Sequence, residues 1–344
     1  MEISDKTVSE ILRLYGIDGD ICERKIYIDR AYEDFVKQIF SVKLKDGKHI
    51  VVKILREEDD YSVNRRKFEK QSEFSEFMRK NGIKTPKRYL CGDGYCSEYE
   101  CGGVMCHVTV EDWCGEEVGL IDSDLSYKIG QLMACMHTVS LENNCEIGFG
   151  TLFSAAYEND VDAFPEFCKI CENDNIDSGI VEQIKKIREE KLAFLRSVWT
   201  ELPKAAVQGD ISINNLVFDG KDITVFDYNN AGDEVLISDL VMEGLLTAYE
   251  MDIPEDADPA CREEFFPAFL NGYLSVRKLS EKEAETAWVA YTLYHGLWFT
   301  RIMYNKDSLE KLVERGDFSS ANTLLRKMLD DMTEENDGRF RSTV

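Results

Sequence analysis

Two aspartates and an asparagine in the middle of the chain have the types and the spacing of a small oxygen-ligand site. In VQGDISINNLVFD, Asp210 lies five residues before Asn215, and in KDITVFDYNNAGD a β-branched and aromatic run ends at Asp227. The interval of 17 residues between the two acids leaves room for a strand, a turn at Asp219-Gly220 and a return strand. That hairpin would bring the three side chains to one end.

Three oxygen-bearing side chains at one place suit a hard divalent ion such as Mg²⁺, which takes one or two carboxylates and leaves positions for phosphate oxygens. Asn215 would supply a neutral oxygen, so the metal site would not carry excess charge. Asp210 would then be available to accept a proton from a substrate hydroxyl. The alternative is that Asp and Asn serve here as turn-capping residues, which is their usual role beside loops.

Composition predicts a folded protein of two lobes or domains. The chain has 344 residues, of which 44% are hydrophobic and 31% charged. This balance is typical of globular proteins and excludes disordered or fibrous classes. Its formal charge of −25 argues against a nucleic-acid partner or an anionic membrane surface, because phosphates would be repelled. A cationic or zwitterionic small molecule is easier to accommodate.

Two segments of the sequence bear on cellular location, the first residues and the most apolar stretch. MEISDKTVSE lacks the basic and apolar regions of a signal peptide, and the segment 287–299 is too short to span a bilayer. We therefore expect a cytoplasmic protein.

Eleven cysteines, an odd number in a chain with no export signal, predict reduced thiols. Cysteines recur every five residues at positions 91, 96, 101 and 106, but zinc sites favour closer spacing. Zinc there is therefore the less favoured interpretation.

The elements that must position the candidate site change in kind along the chain. KQIFSVKL and HIVVKIL flank a Lys-Asp-Gly-Lys turn and predict a hairpin, while RRKFEKQSEFSEFMRKNGI has helical spacing. KRYLCGDGYC and GGVMCHVTVEDW predict two more strands, and long helical patterns follow. We expect an α+β fold with a small antiparallel-sheet lobe carrying one helix (1–110), a hinge (111–117) and a mainly helical lobe (118–344).

The motifs QGDISINN, VFDYNNAG and SDLV resemble the aminoglycoside phosphotransferase and choline kinase family, which includes homoserine-kinase-like members and shares the protein-kinase fold. The resemblance implies that Asp210 is a catalytic base, that Asn215 and Asp227 are Mg²⁺ ligands, and that Asp239 is a structural acid. HIVVKIL resembles the third strand of the small lobe, which makes Lys53 the phosphate-binding lysine. His137, in QLMACMHTVS, is expected to be packed and not reactive.

The same resemblance implies a glutamate partner for Lys53 and a nucleotide-binding hinge. The helix after Lys53 offers Glu73 as the preferred partner, with Glu69 and Glu76 as alternatives. The stretch Val108 to Trp113, which includes Glu111, stands where hinge backbone groups would bind adenine. Two departures are Gln208, where the family usually has His, and DRAYEDFVKQIF, which lacks a glycine-rich phosphate loop.

The implied activity is transfer of the γ-phosphoryl group of ATP, with GTP also possible, to a small-molecule hydroxyl. Acids near the motif, Asp233, Glu234, Asp239 and Glu243, favour an amine-bearing acceptor, although solvated surface charge explains them equally well. The alternatives are a catalytically silent pseudokinase or scaffold and, less favoured because no Ala-Pro-Glu segment follows Asp227, a protein kinase. An aromatic stripe at helical spacing predicts core, with a substrate pocket as its alternative: Trp288, Tyr291, Tyr294 and Trp298.

Overall fold

A computed structural model describes residues 3–32, 35–56, 61–101, 103–157, 162–211 and 213–341. Within these ranges the chain forms two compact units, each discontinuous in sequence. The first unit comprises Met1–Val118, Cys145–Phe149 and Ile213–Gly232, and the second comprises Gly119–Asn144, Gly150–Ser212 and Asp233–Val344. The predicted α+β class is confirmed.

The first unit contains a five-stranded antiparallel sheet in the order β1-β2-β3-β5-β4. Its strands are β1 (Ile21–Tyr32), β2 (Phe35–Leu44), β3 (His49–Arg56), β4 (Ser97–Cys101) and β5 (Val104–Asp112). Two helices accompany it, α1 (Asp5–Leu14) and α2 (Tyr61–Lys80). The predicted β2–β3 hairpin is confirmed: Gly47 has a φ of +93°, and the Asp46 carboxylate accepts a hydrogen bond from the Lys48 amide at 3.0 Å.

Two details of the small sheet differ from the sequence prediction. The segment KRYLCGDGYC contains only isolated bridges, because Gly92 at φ +64° closes a tight turn in which the Cys91 amide donates to the Gly94 carbonyl. The first unit also has a second helix: α1 buries Val8, Ile11 and Leu12 in the apolar core of the sheet.

A hairpin from the middle of the chain belongs to the first unit, although its sequence position lies in the predicted helical lobe. It consists of β7 (Leu216–Phe218) and β8 (Ile223–Val225). The Val118 amide donates to the Leu216 carbonyl at 2.9 Å, and the Val225 amide donates to the Lys84 carbonyl at 3.0 Å. These backbone hydrogen bonds explain why the hairpin is part of this unit.

The second unit is mainly helical. Its helices are α3 (Ser123–Glu142), α4 (Phe164–Ile170), α5 (Ser178–Val198), α6 (Leu236–Tyr249), α7 (Phe265–Val276), α8 (Glu281–Gly296), α9 (Phe299–Ile302), α10 (Leu309–Glu314) and α11 (Phe318–Thr333). Two short strands, β6 (Lys204–Val207) and β9 (Gly232–Val235), pair with each other. Helix α6 is buried from Leu236 to Ala248, so it forms the centre of this core.

Helices α3 and α7 approach each other to backbone contact. A Cβ added at Gly130 would lie 1.9 Å from the Phe269 carbonyl oxygen, and a Cβ added at Gly272 would lie 1.9 Å from the Tyr127 carbonyl oxygen. Only glycine permits so close a crossing. Among the described helices, none is both long enough and apolar enough to cross a bilayer.

Candidate active site

A buried lysine on β3 defines the chemistry of the first unit. The Lys53 side chain is 3% exposed, and its Nζ lies 3.0 Å from Asp227 Oδ1 and 3.1 Å from Glu111 Oε1. Strand β3 supplies the lysine, β5 supplies the glutamate, and the turn after β8 supplies the aspartate. Two carboxylates thus hold one ammonium group away from water.

The β7–β8 hairpin places Asn215 and Asp227 at the same end, as the sequence predicts. The Asn215 carbonyl accepts a hydrogen bond from the Phe226 amide at 2.9 Å, directly before Asp227. Asp227 itself has a φ of +52°, a left-handed conformation that Asp tolerates better than most residues. Its carboxylate accepts the Asn229 amide at 3.3 Å and faces Lys53.

The charges of Lys53 and Asp227 stabilise each other. Burial alone would lower the pKa of Lys53, but Asp227 and Glu111 outweigh it and the pKa is raised. Burial alone would likewise raise the pKa of Asp227, but Lys53 outweighs it and the pKa is lowered. Both groups are therefore ionised at neutral pH.

Glu111 is shared between two cations. Its Oε1 contacts Lys53, and its Oε2 lies 3.0 Å from Arg88 Nη2. Arg88 is 4% exposed. Sequence reasoning gave Arg88 no role, because a single arginine in a predicted strand carries no motif, and it placed Glu111 in the adenine-binding hinge.

The structure does not bring the helix glutamates to Lys53. Glu73 is paired with Lys70 on the surface of α2, at 2.6 Å. Glu69 accepts the amides of Tyr95 and Cys96. Glu76 binds the Arg79 side chain and the Arg88 amide. The carboxylate that meets Lys53 comes from the sheet instead of the helix.

The predicted hinge backbone is partly occupied by internal hydrogen bonds. The Asp112 amide donates to the Lys87 carbonyl and the Trp113 amide to the His49 carbonyl, both at 2.9 Å. The Trp113 ring stacks on His49, with 4.4 Å between ring centroids. The amides of Asp112 and Trp113 are therefore already engaged within the protein.

A groove of about 480 Å³ lies elsewhere on the first unit. Its lining includes Lys84, Lys87 and Cys114, and it does not include Lys53, Glu111, Arg88 or Asp227. The groove is thus lined by other residues than the lysine site.

In the second unit, Asp210 follows β6 on a loop held by Gln208. The Gln208 side-chain oxygen accepts the Asp210 amide at 2.9 Å, and Gln208 is 1% exposed. Helix α3 supports the preceding strand, since the Ser140 hydroxyl donates to the Ala206 carbonyl at 2.6 Å. Gln208 therefore fixes the backbone at Asp210.

A buried network surrounds Asp239 on α6. His137 Nε2 lies 2.9 Å from Asp239 Oδ2, and His137 Nδ1 lies 2.8 Å from the Tyr273 hydroxyl. Arg277 donates to the same hydroxyl at 3.2 Å and pairs with Glu283. The network joins α3, α6, α7 and α8, so both Asp239 and His137 are placed as packed, bound groups.

Glu243 lies one helical turn after Asp239 and is the most deeply buried acid of this region. It is 0% exposed, and its carboxyl oxygens make no hydrogen bond of good geometry with the described residues, although the Ile211 amide lies near enough to favour the ionised form. Burial, followed by the charges of Asp239 and Asp210, raises the pKa of Glu243 well above its usual value, while the Ile211 amide opposes the shift. A carboxyl group that holds its proton more tightly than usual therefore packs beside the Asp210 loop.

As pH rises, the free energy of unfolding of Glu243→Gln should increase relative to that of the wild-type protein. An acid whose pKa is raised on folding binds its proton more tightly in the folded state, so wild-type stability falls above the unfolded-state pKa, by about 1.4 kcal/mol per pH unit. The glutamine removes this loss. Urea unfolding at pH 5 and pH 7 measures it as a gap between the two proteins that widens with pH.

Glu234, whose pKa burial raises to about 7, titrates alike in both proteins and cancels from that gap. The control is Glu285→Gln, an exposed position on α8. A gap between wild type and Glu243→Gln that stays constant from pH 5 to pH 7 would show that Glu243 is ionised.

The acids that favoured an amine-bearing acceptor are mostly inside the protein. Glu234, Asp239 and Glu243 are 6%, 4% and 0% exposed, whereas Asp233 is half-buried. Three of the four are thus withdrawn from any molecule arriving from solvent.

The aromatic stripe on and after α8 is core. Trp288, Tyr291, Tyr294 and Trp298 are all at most 7% exposed. A cation does lie over two of the rings, but it is the chain's own Arg339, 5.0 Å from the Trp288 centroid and 5.1 Å from that of Tyr291.

The donors present suit a metal held jointly with a ligand. No group of three or more His, Cys, Asp or Glu side chains in the described part of the chain could hold a metal by itself. All eleven cysteines are free thiols. One carboxylate and one amide oxygen, Asp227 and Asn215, match the preference of Mg²⁺ for few protein ligands beside phosphate oxygens.

The antiparallel sheet with its buried lysine and the helical second unit define a protein-kinase-like fold. Solved structures of small-molecule kinases share it. A microcompartment-associated aminopropanol kinase matches with a TM-score of 0.61 and 16% identity, covering 96% of this chain and 99% of that one. An amicoumacin kinase in complex with AMP-PNP, Ca²⁺ and Ami matches with a TM-score of 0.56 and 14% identity, covering 96% and 94%.

A spectinomycin phosphotransferase in complex with ADP and spectinomycin matches with a TM-score of 0.50 and 12% identity, covering 98% and 97%. No protein-family model matches the chain, and no curated protein matches it. At these identities the likeness confirms the predicted resemblance as one of fold.

Proposed function

We propose that this protein is an ATP-dependent kinase that transfers the γ-phosphoryl group to a hydroxyl of a small molecule. The observation that carries the proposal is Lys53, buried and charged between Glu111 and the hairpin acid Asp227. A buried ammonium group with exchangeable carboxylate partners is a ready site for nucleotide phosphates. The likeness of the fold to small-molecule kinases supports it.

The chain's own groups have separate tasks in this reaction. Lys53 binds phosphate oxygens and offsets their negative charge. Asp210 accepts the proton of the acceptor hydroxyl while that oxygen bonds to the γ-phosphorus, and the bond from the γ-phosphorus to the ADP oxygen breaks. Mg²⁺, held by Asn215 and Asp227, would supply further neutralisation of phosphate charge when bound.

Binding of nucleotide tests the proposal first. The melting temperature of the wild-type protein should rise with ATP or GTP only when Mg²⁺ is present, since a ligand that binds the folded state stabilises it by mass action. Asp227→Ala should lose the Mg²⁺-dependent part of that rise. The exposed Asp93→Ala, in the same unit, is the matched control and should keep it.

A wild-type protein that shows no shift with either nucleotide at millimolar concentration would contradict the proposal. The silent-scaffold alternative would then gain support from the absence of glycine in DRAYEDFVKQIF, of which residues 33–34 lie outside the described residues.

The rate of ADP release with different acceptors identifies the class of acceptor. We propose an amino alcohol or an aminoglycoside-like, choline-like or homoserine-like acceptor in the cytoplasm, an inference motivated by the acidic charge of the protein. Each amine is assayed beside its amine-free analogue, so that preference for the amine is measured directly. Equal rates with both members of every pair would remove the amine from the proposal.

A further inference from the structure

Four charged side chains of the first unit form one buried chain of alternating charge. Arg88 contacts Glu111, Glu111 contacts Lys53, and Lys53 contacts Asp227, at 3.0, 3.1 and 3.0 Å. Two cations and two anions cancel, so the cluster is neutral as a whole. Each inner member has two partners, and each outer member has one.

Phosphate binding would disturb this chain of alternating charge at Lys53. If the proposed function is correct, Lys53 turns toward phosphate and Asp227 toward the metal, and Glu111 loses one of its two partners. Glu111 is 4% exposed, so water cannot replace the lost ammonium group. A buried carboxylate without a partner is strongly unfavourable, and this cost would oppose nucleotide binding.

Arg88 is built to remain in place during such a change. Its backbone amide donates to Glu76 Oε1 at 2.6 Å and its Nη1 donates to Ser72 Oγ at 3.3 Å, so α2 holds both ends of the residue. Its Nε and Nη2 have no hydrogen-bond partner among the described residues, so the 3.0 Å contact of Nη2 with Glu111 is an ion pair without hydrogen-bond geometry. Arg88 therefore has donor capacity left for a carboxylate that has lost its lysine.

The position of Glu111 points the same way. In the antiparallel pair of β3 and β5, Glu111 lies opposite Val51, which is two residues from Lys53 and on the same face of the sheet. The register of the sheet therefore fixes the contact between Glu111 and Lys53, whereas the glutamates of α2 have other partners.

We propose that Arg88 is a positioning residue of the nucleotide site, which holds Glu111 in its buried place and so releases Lys53 to the phosphates. The inference rests on the proposed function and adds a residue to it. Its distinctive consequence is that the loss of ATP affinity on replacing Arg88 depends on whether Glu111 carries a charge.

The test measures ATP·Mg²⁺ affinity by titration, and KM and kcat by ADP release, for Arg88→Met and for Arg88→Met/Glu111→Gln. In the single variant Glu111 keeps only Lys53, so affinity should fall by about tenfold or more. In the double variant no unpaired carboxylate remains, so affinity should return to within about threefold of wild type. KM for the acceptor should stay constant.

An exposed ion pair of the same unit supplies the control. Arg65 Nη1 and Glu98 Oε1 lie 3.1 Å apart with both side chains open to solvent, so Arg65→Met and Arg65→Met/Glu98→Gln should leave ATP affinity unchanged. Should Arg88→Met fail to fold, the neutral double variant carries the test, because it binds ATP under the proposal and does not if Arg88 contacts the nucleotide itself.

The proposal is overturned if Arg88→Met binds ATP as tightly as wild type, or if single and double variants lose affinity equally. A wild-type protein that binds no nucleotide overturns the proposed function and this inference together. Binding by wild type with no rescue in the double variant overturns the inference alone.

Discussion

Asp210→Asn should lower kcat by about 10²- to 10⁴-fold, the range that a positioned general base contributes. The asparagine keeps the shape of the side chain and cannot accept the hydroxyl proton. Nucleotide affinity should stay within about twofold of wild type, because Lys53, Asn215 and Asp227 all remain. Steady-state ADP release and a separate ATP titration measure the two quantities.

Asp256→Asn is the control for this variant, since it removes one negative charge from an exposed position of the same unit. Its kcat should equal that of wild type. The assignment of Asp210 as base fails if Asp210→Asn turns over at the wild-type rate. It fails also if ATP binding is lost in step with kcat, which would indicate a misfolded loop.

Gly130→Ala should destabilise the protein by about 3 kcal/mol or more, although alanine is normally the better helix residue by about 1 kcal/mol. The added methyl group would meet the Phe269 carbonyl at 1.9 Å, and backbone cannot rotate away as a side chain would. Gly272→Ala should behave alike for the reciprocal reason. Urea unfolding followed by circular dichroism provides the free energies.

Gly119→Ala is the matched control, because no atom lies within 4 Å of a Cβ built there. It should change stability by less than about 0.5 kcal/mol. A Gly130→Ala protein as stable as wild type would mean that α3 and α7 do not approach each other to backbone contact in solution.

Local patterns were sufficient where neighbours in sequence decide the structure. The β7–β8 hairpin is an example: Asp219 accepts the amides of Lys221 and Asp222, Gly220 has a φ of +89°, and Asn215 and Asp227 meet at one end as predicted. The polar turn and the β-branched run contain the necessary information.

The partner of Lys53 could not be chosen in this way. Helical spacing says that Glu69, Glu73 and Glu76 lie on α2, but not which of them faces the sheet, and none does so at Lys53. Glu111 is selected by strand register and by Arg88, whose contacts join segments distant in sequence. Cross-strand alternation from Lys53 to Glu111 is the one signal that could have suggested it.

The discontinuity of the first unit has a consequence for how the protein is made. A ribosome releases the residues of the sheet, up to Val118, long before it releases the hairpin that contributes Leu216, Val225 and Asp227. Until then the Lys84 carbonyl cannot accept its hydrogen bond from the Val225 amide. Of the two acids that contact Lys53, only Glu111 has been synthesised.

The sheet unit is therefore completed only after two segments of the helical unit, Gly119–Asn144 and Gly150–Ser212, have been synthesised, across contacts of high sequence separation that form slowly. Nascent chains shorter than about residue 232 carry an unfinished surface on this unit. Limited proteolysis of stalled nascent chains should find it cleavable until the hairpin emerges, and, if the proposed function is correct, nucleotide binding should not arise before that length.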